Sequence, residues 1–114
     1  MLLAAAGCKP APEQRHYLTG ADSARGLRVV ARVGCGSCHA VPGLDWPRGE
    51  VGPALDRFGE RTLIAGHLPN RPDILVAYLR NAPAVLPGTT MPAMPITEQE
   101  SRDVAAYLYT LDDR

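Results

Sequence analysis

No stretch of this sequence reaches the roughly 18 consecutive apolar residues that a membrane-spanning helix needs. A dominant charge is missing as well: twelve Lys and Arg face twelve Asp and Glu, for a formal net charge of zero. Without a basic excess or a long run of one sign, a nucleic-acid partner is not expected, and steering of any partner falls to local patches. Aromatic residues make up only 5 % of a chain that is 46 % hydrophobic. The length of 114 residues suits one domain, of which about two-thirds of the unfolded surface is buried on folding. The three cysteines are an odd number, so if two share one task the third needs another.

Two of those cysteines organise the rest. Cys35-Gly36-Ser37-Cys38-His39 places two thiols three positions apart and an imidazole directly after them, the pattern of c-type haem attachment. Each thiol can add to one vinyl group of a porphyrin, and His39 is then held under the ring with a neutral nitrogen available to the iron. Gly36 and Ser37 are short enough for the backbone to turn against the macrocycle. The 5 % aromatic content suits a core partly supplied by such a ring. Two other readings of Cys-x-x-Cys stand beside this one. Half of a four-ligand zinc site would need a second pair, and only Cys8 remains. A thioredoxin-like dithiol would need a βαβ context that the sequence does not offer.

The N-terminus, MLLAAAG before Cys8, resembles the end of a bacterial lipoprotein signal, whose cysteine becomes the acylated first residue. On that reading residues 1–8 are the remnant of an export signal and the true start lies upstream. The alternative is a disordered terminus with a stray thiol. Residues 9–21 have no periodicity and are expected to form a flexible tether with a solvated His16. The folded domain is expected over 22–114.

A helix is predicted from an N-cap at Asp22 or Ser23 to a stop near Gly34, with Leu27, Val30 and Ala31 on one face. Gly26 costs about 1 kcal/mol of helix propensity, which points to close approach by another element. Residues 41–51 read as a loop, with Trp46 packed on its neighbours. The carbonyl of Pro53 is available to accept the ring N–H of His39 and so to fix its tautomer. Arg61 to Ala65 is predicted as one helical turn closed by Gly66, with His67 structural or exposed. Pro72 opens a helix of about ten residues, with Ile74, Leu75, Tyr78 and Leu79 on its apolar face. Ala82 to Pro95 contains four prolines and Gly88 and is expected to be an extended loop. Thr97 and Glu100 form a capping box for a last helix whose face is Val104, Tyr107, Leu108 and Leu111.

A haem held by His39 needs a second axial partner. Met91, on the proline-stiffened Pro87-Gly88-Thr89-Thr90-Met91-Pro92 loop, offers a thioether whose position the backbone restricts. Met94 is the rival, and is assigned to apolar packing.

From about Gly20 to Leu111 the chain resembles a small class I cytochrome c of bacteria. The resemblance is carried by GLRVV, CGSCH, VGPALDRFG, NAPAVLPGTTMP and RDVAAYLYTL. It is most similar to the short, often lipid-anchored cytochromes found beside terminal oxidases. The resemblance implies an all-α fold of about three to four helices around one covalently bound haem. Gly26 and Val30 would then meet Val104 and Tyr107. It further implies thioether bonds to haem c through Cys35 and Cys38, with His39 and Met91 as the iron ligands. Pro53 would stand behind His39 and Leu55 on the ring, and Arg61, Tyr78 and Thr89 are assigned to the propionates. The chain departs from the pattern at Ala82, where Pro is common, and at Tyr78, where Trp is frequent.

The expected function is one-electron transfer by a six-coordinate His/Met haem, in a respiratory chain, as a shuttle or a haem c subunit and not as an enzyme alone. Partners would be a redox donor and acceptor, an oxidase or another respiratory complex. The place would be the periplasm, with membrane attachment only through lipid on Cys8. The alternatives are a haem-based gas or redox sensor and a thiol–disulfide oxidoreductase.

Overall fold

The structure, a computed structural model, describes Gly7 and residues 16–112. Cys8 and its expected lipid, and the tether over 9–15, lie outside the described residues. Among the described residues four helices carry the fold: α1 (Ser23–Val33), α2 (Pro72–Arg80), α3 (Ala82–Val85) and α4 (Glu98–Tyr109). A small hairpin, β1 (Leu63–Ile64) and β2 (Leu68–Pro69), pairs antiparallel with Leu63 opposite Pro69. None of the described helices is long and apolar enough to cross a membrane.

The ends of the helices follow from local chemistry. Asp22 caps α1, its carboxylate accepting the Arg25 N–H at 2.8 Å. Thr97 and Glu100 close a reciprocal capping box on α4, which satisfies two N–H groups that a helix start otherwise leaves open. Pro72 occupies the first turn of α2, where its missing N–H costs nothing.

The core joins these helices. Val29 and Val30 of α1, Leu75 and Leu79 of α2, and Val104, Ala105 and Leu108 of α4 are buried in one cluster. The buried face of α1 is thus Gly26, Val29 and Val30, while Ala31, expected there, is exposed. Polar bonds fix the junctions that apolar packing alone leaves free to slide. Ser101 Oγ donates to the Val76 carbonyl at 2.7 Å, locking α4 to α2. Asp103, only 3 % exposed, accepts from Arg25 Nε at 3.0 Å, from the Asp22 N–H at 2.9 Å and from Gln99 at 3.0 Å, locking α4 to the start of α1.

Several expectations are corrected. The segment Arg61 to Ala65 is not a helical turn. It enters the hairpin, because Ala65 and Gly66 both take positive φ, 52° and 73°, and the His67 N–H bonds back to Ile64 at 3.0 Å. Ala82–Val85 is helical although Pro83 lies in it, since a proline in the first turn removes no helical hydrogen bond. Residues 16–21 are docked rather than free. Leu18 is buried, Thr19 and Gly20 accept hydrogen bonds from Arg102 and Gln99, and His16 stacks on Tyr109 with ring centres 4.1 Å apart. Trp46 is not packed on its neighbours but is 84 % exposed.

Candidate cofactor site

Gly34 ends α1 in the left-handed conformation and hands the chain to a tight turn over Cys35–Ser37. The Ser37 N–H bonds to Gly34 at 2.9 Å, and the Cys38 and His39 N–H groups both reach the Cys35 carbonyl, at 3.3 and 3.1 Å. Two thiols and an imidazole are therefore presented within little more than one turn of backbone. The loop that follows doubles back along them: Gly49 N–H bonds to Gly36 at 2.8 Å, Gly52 to Cys38 at 2.7 Å and Leu55 to Ala40 at 2.9 Å.

That return sets the imidazole. His39 Nδ1 lies 2.7 Å from the Pro53 carbonyl oxygen. A carbonyl can only accept, so the proton is on Nδ1 and the lone pair of neutral His39 is on Nε2, free for a metal. Gly52 lies flat on the ring: a Cβ there would be 2.3 Å from Cε1 and 2.9 Å from Nε2. Leu55 beside it is half-buried against the core.

Met91, Thr89 and Tyr78 make a second group. Tyr78 Oη is 3.0 Å from Thr89 Oγ1, and the Met91 N–H makes a long 3.5 Å contact to the same oxygen. Tyr78 is buried on α2, so the core reaches the Met91 loop through one hydroxyl. Met91 packs half-buried on the core cluster. Met94 is tied differently, by its N–H to the Arg80 carbonyl at 3.0 Å. Arg61 stands with the first group, donating to the carbonyls of Ala54 and Asp56.

The donor chemistry fits a covalently held haem. Cys35 and Cys38 are unpaired thiols, as thioether formation requires. Burial pushes the Cys35 thiol up, opposed by a backbone hydrogen bond and helped by Cys38. A nucleophilic dithiol needs the opposite shift. Among the described residues no group of three or more His, Cys, Asp and Glu could hold a metal ion, as a four-ligand zinc site would require.

Sequence reasoning missed two features. The packing of Gly52 on His39 was signalled by the glycine ahead of Pro53. The buried bond from Tyr109 Oη to Asn70 Oδ1, 2.9 Å, had no sequence signal, because it joins residues far apart in the chain.

The family described as Cytochrome c matches residues 23–112. Cytochrome c oxidase subunit 2 of Alkalihalophilus pseudofirmus is 38% identical over 88 residues, 76% of this chain, and the chain spans 25% of that relative's length. Among solved structures, cytochrome c2 from Rhodospirillum centenum is similar with a TM-score of 0.60 and 26% identity, over 81% of this chain and 99% of that one. SoxXA from P. pantotrophus has a TM-score of 0.63 at 23% identity, over 93% of this chain and 100% of that one, a likeness of fold.

Proposed function

The chain belongs to the cytochrome c family, and from that premise we propose that it is a one-electron carrier of a respiratory chain. One haem c would be held through thioether bonds to Cys35 and Cys38, with His39 Nε2 and Met91 Sδ as the atoms that hold its iron. The bound group supplies reversible one-electron chemistry at its iron. The observation that carries the reading is the 2.7 Å bond from His39 Nδ1 to Pro53, which leaves Nε2 as the unshared donor.

The chain's own residues then do three things. The cysteines fix the group in place, so that it cannot be lost on dilution. Pro53 and Gly52 hold the imidazole in one tautomer and one orientation, so that little rearrangement accompanies a change of charge. A soft thioether from Met91 favours the reduced form and raises the potential. With His39 and Met91 both holding the iron, no position would be left for a small gas, and the group would supply one-electron transfer to a docked protein.

The donor and acceptor we propose are respiratory proteins, with an oxidase as acceptor. The similarity to cytochrome c oxidase subunit 2 supports this, although it covers only 25% of that protein. The domain would act in the periplasm, as a shuttle or as a haem c subunit, and lipid on Cys8 would tether it to the membrane.

Protein from a host that exports and attaches haem should stain for haem on a denaturing gel, carry the mass of one haem, and titrate as a one-electron couple. Colourless protein with the mass of the bare chain would overturn the reading. Rapid stoichiometric binding of carbon monoxide to the reduced protein would transfer it to the gas sensors. Loss of the haem signal from membranes on Cys8→Ser is the outcome expected of the lipid tether.

A further inference from the structure

We propose that the protein meets its redox partner through an uncharged surface, made by Trp46 and the segment 81–97, and that the partner is a respiratory protein presenting an uncharged, apolar patch of its own. The proposal rests on the reading of Cys35, Cys38, His39 and Met91 as the residues that hold the cofactor. The whole chain is 21 % charged, so a run of this length would ordinarily carry about three or four charges. From Asn81 to Thr97 there is none. That run carries Met91, and Pro83, Ala84, Pro87, Thr90, Pro92 and Ala93 within it are exposed. The second part is the loop that doubles back on the cysteine turn. Its Trp46, the only tryptophan of the chain, is 84 % exposed and Val51 is 81 % exposed. The charges between residues 40 and 55 are Asp45, Arg48 and Glu50, of both signs.

Both parts are held in place before any partner arrives. A Cβ on Gly36 would lie 2.7 Å from the Pro47 carbonyl oxygen, and one on Gly49 would lie 2.3 Å from that of Ser37. The backbone next to Trp46 is thus seated directly on the turn that carries the cysteines. In the other segment the Thr89 N–H bonds to Leu86 at 3.1 Å, Met94 to Arg80 at 3.0 Å and Ile96 to Met94 at 2.9 Å, while four prolines fix φ. Surfaces already ordered lose little entropy on docking. The chemistry of the partner follows from theirs. Proline, alanine and tryptophan surfaces give up water at little cost, whereas ions of a charged partner would be desolvated against them without a counter-charge. Interface centres are depleted of charge, and tryptophan is enriched among the residues that carry their energy. A net charge of zero adds no long-range attraction that would favour a charged partner.

The test titrates isotope-labelled ferrous holoprotein with a detergent-solubilised, cyanide-inhibited bacterial cytochrome c oxidase, reading amide line broadening and Kd at 10 and 300 mM salt. Broadening is expected to concentrate in residues 40–51 and 81–97. Because screening weakens only charge-driven association, Kd should change by less than about twofold between the two salt concentrations. Trp46→Ala should weaken binding about tenfold, as loss of a central aromatic anchor does. Its midpoint potential should match the wild type, which shows that the cofactor's seat is intact. Ala84→Lys and Ala84→Glu should both weaken binding, since either sign meets an apolar surface. Tighter binding by one of the two would reveal a charged partner face and overturn the proposal. So would a Kd that rises tenfold with salt, or broadening centred on α1. Broadening of the same residues with protein concentration alone would make a second copy the occupant, and no binding to the oxidase would reject the partner chosen; either defeats the proposal. Protein without a one-electron couple is a separate failure, that of the reading beneath.

Discussion

Gly26 and Asp103 mark the point where α1 and α4 cross: a Cβ on Gly26 would lie 1.9 Å from the Asp103 carbonyl oxygen and 2.5 Å from its carbon. Both obstacles are backbone, so nothing there can rotate aside. Gly26→Ala must push the helices apart along the Val30 and Val104 seam, which each bury to within 2 %. The expected loss is about 3 kcal/mol, the upper range for overpacking a filled core, seen as a lower denaturant midpoint of the holoprotein.

Asp103 gives the fold an acid-sensitive joint. Burial alone would raise its carboxyl, but hydrogen bonds from Arg25, the Asp22 amide and Gln99, with the charge of Arg25, hold it below the ordinary value of 3.8. A carboxyl lowered by folding contributes stability that is full above the unfolded pKa and is lost as pH falls through the folded one. Between about pH 5 and pH 2, the wild type should therefore lose more stability than Asp103→Asn. Urea titrations of both proteins across that range check it. Equal slopes would show that the joint contributes nothing.

Gly52 tests the seat of the imidazole. Alanine there would place a Cβ 2.3 Å from His39 Cε1, so either the ring or the loop must move. Gly52→Ala is expected to weaken the Pro53 bond, to shift the absorption spectrum and to lower the midpoint potential. Spectra and potentials identical to wild type would mean that the loop yields freely.

Met91 and Met94 can be told apart by optical spectroscopy. The weak far-red band of a sulfur–iron bond should vanish in Met91→Ala and survive in Met94→Ala, and the potential should fall only in the first. The opposite pattern would make Met94 the ligand.

Tyr109→Phe removes the hydroxyl from Asn70 Oδ1 in the buried network. The expected cost is about 1–3 kcal/mol, the penalty for leaving a buried acceptor unpaired. Thermal unfolding of the two holoproteins measures it.

What could be read from the chain alone is what depends on neighbours in sequence. Cys35, Cys38 and His39 present their chemistry within five residues. The Thr97–Glu100 capping box and the 3.6-residue spacing of Val104 and Leu108 fix α4, and the carbonyl beside His39 followed from Pro53 standing where it does. The hairpin at Ala65 and Gly66 escaped because its positive φ at a non-glycine residue is imposed by strand pairing, not by propensity. Periodicity also misjudged Ala31, since the direction from which α4 approaches α1 is set at Gly26 and Asp103.

The sequence by itself determined the attachment chemistry, the helices and their caps, because each rests on groups a few bonds apart. Tertiary structure decided which nitrogen of His39 stays free, where Arg61 spends its hydrogen bonds and how Tyr109 reaches Asn70. Those choices join segments that only the packed core brings within bonding distance, and a buried donor or acceptor takes whichever partner the core supplies.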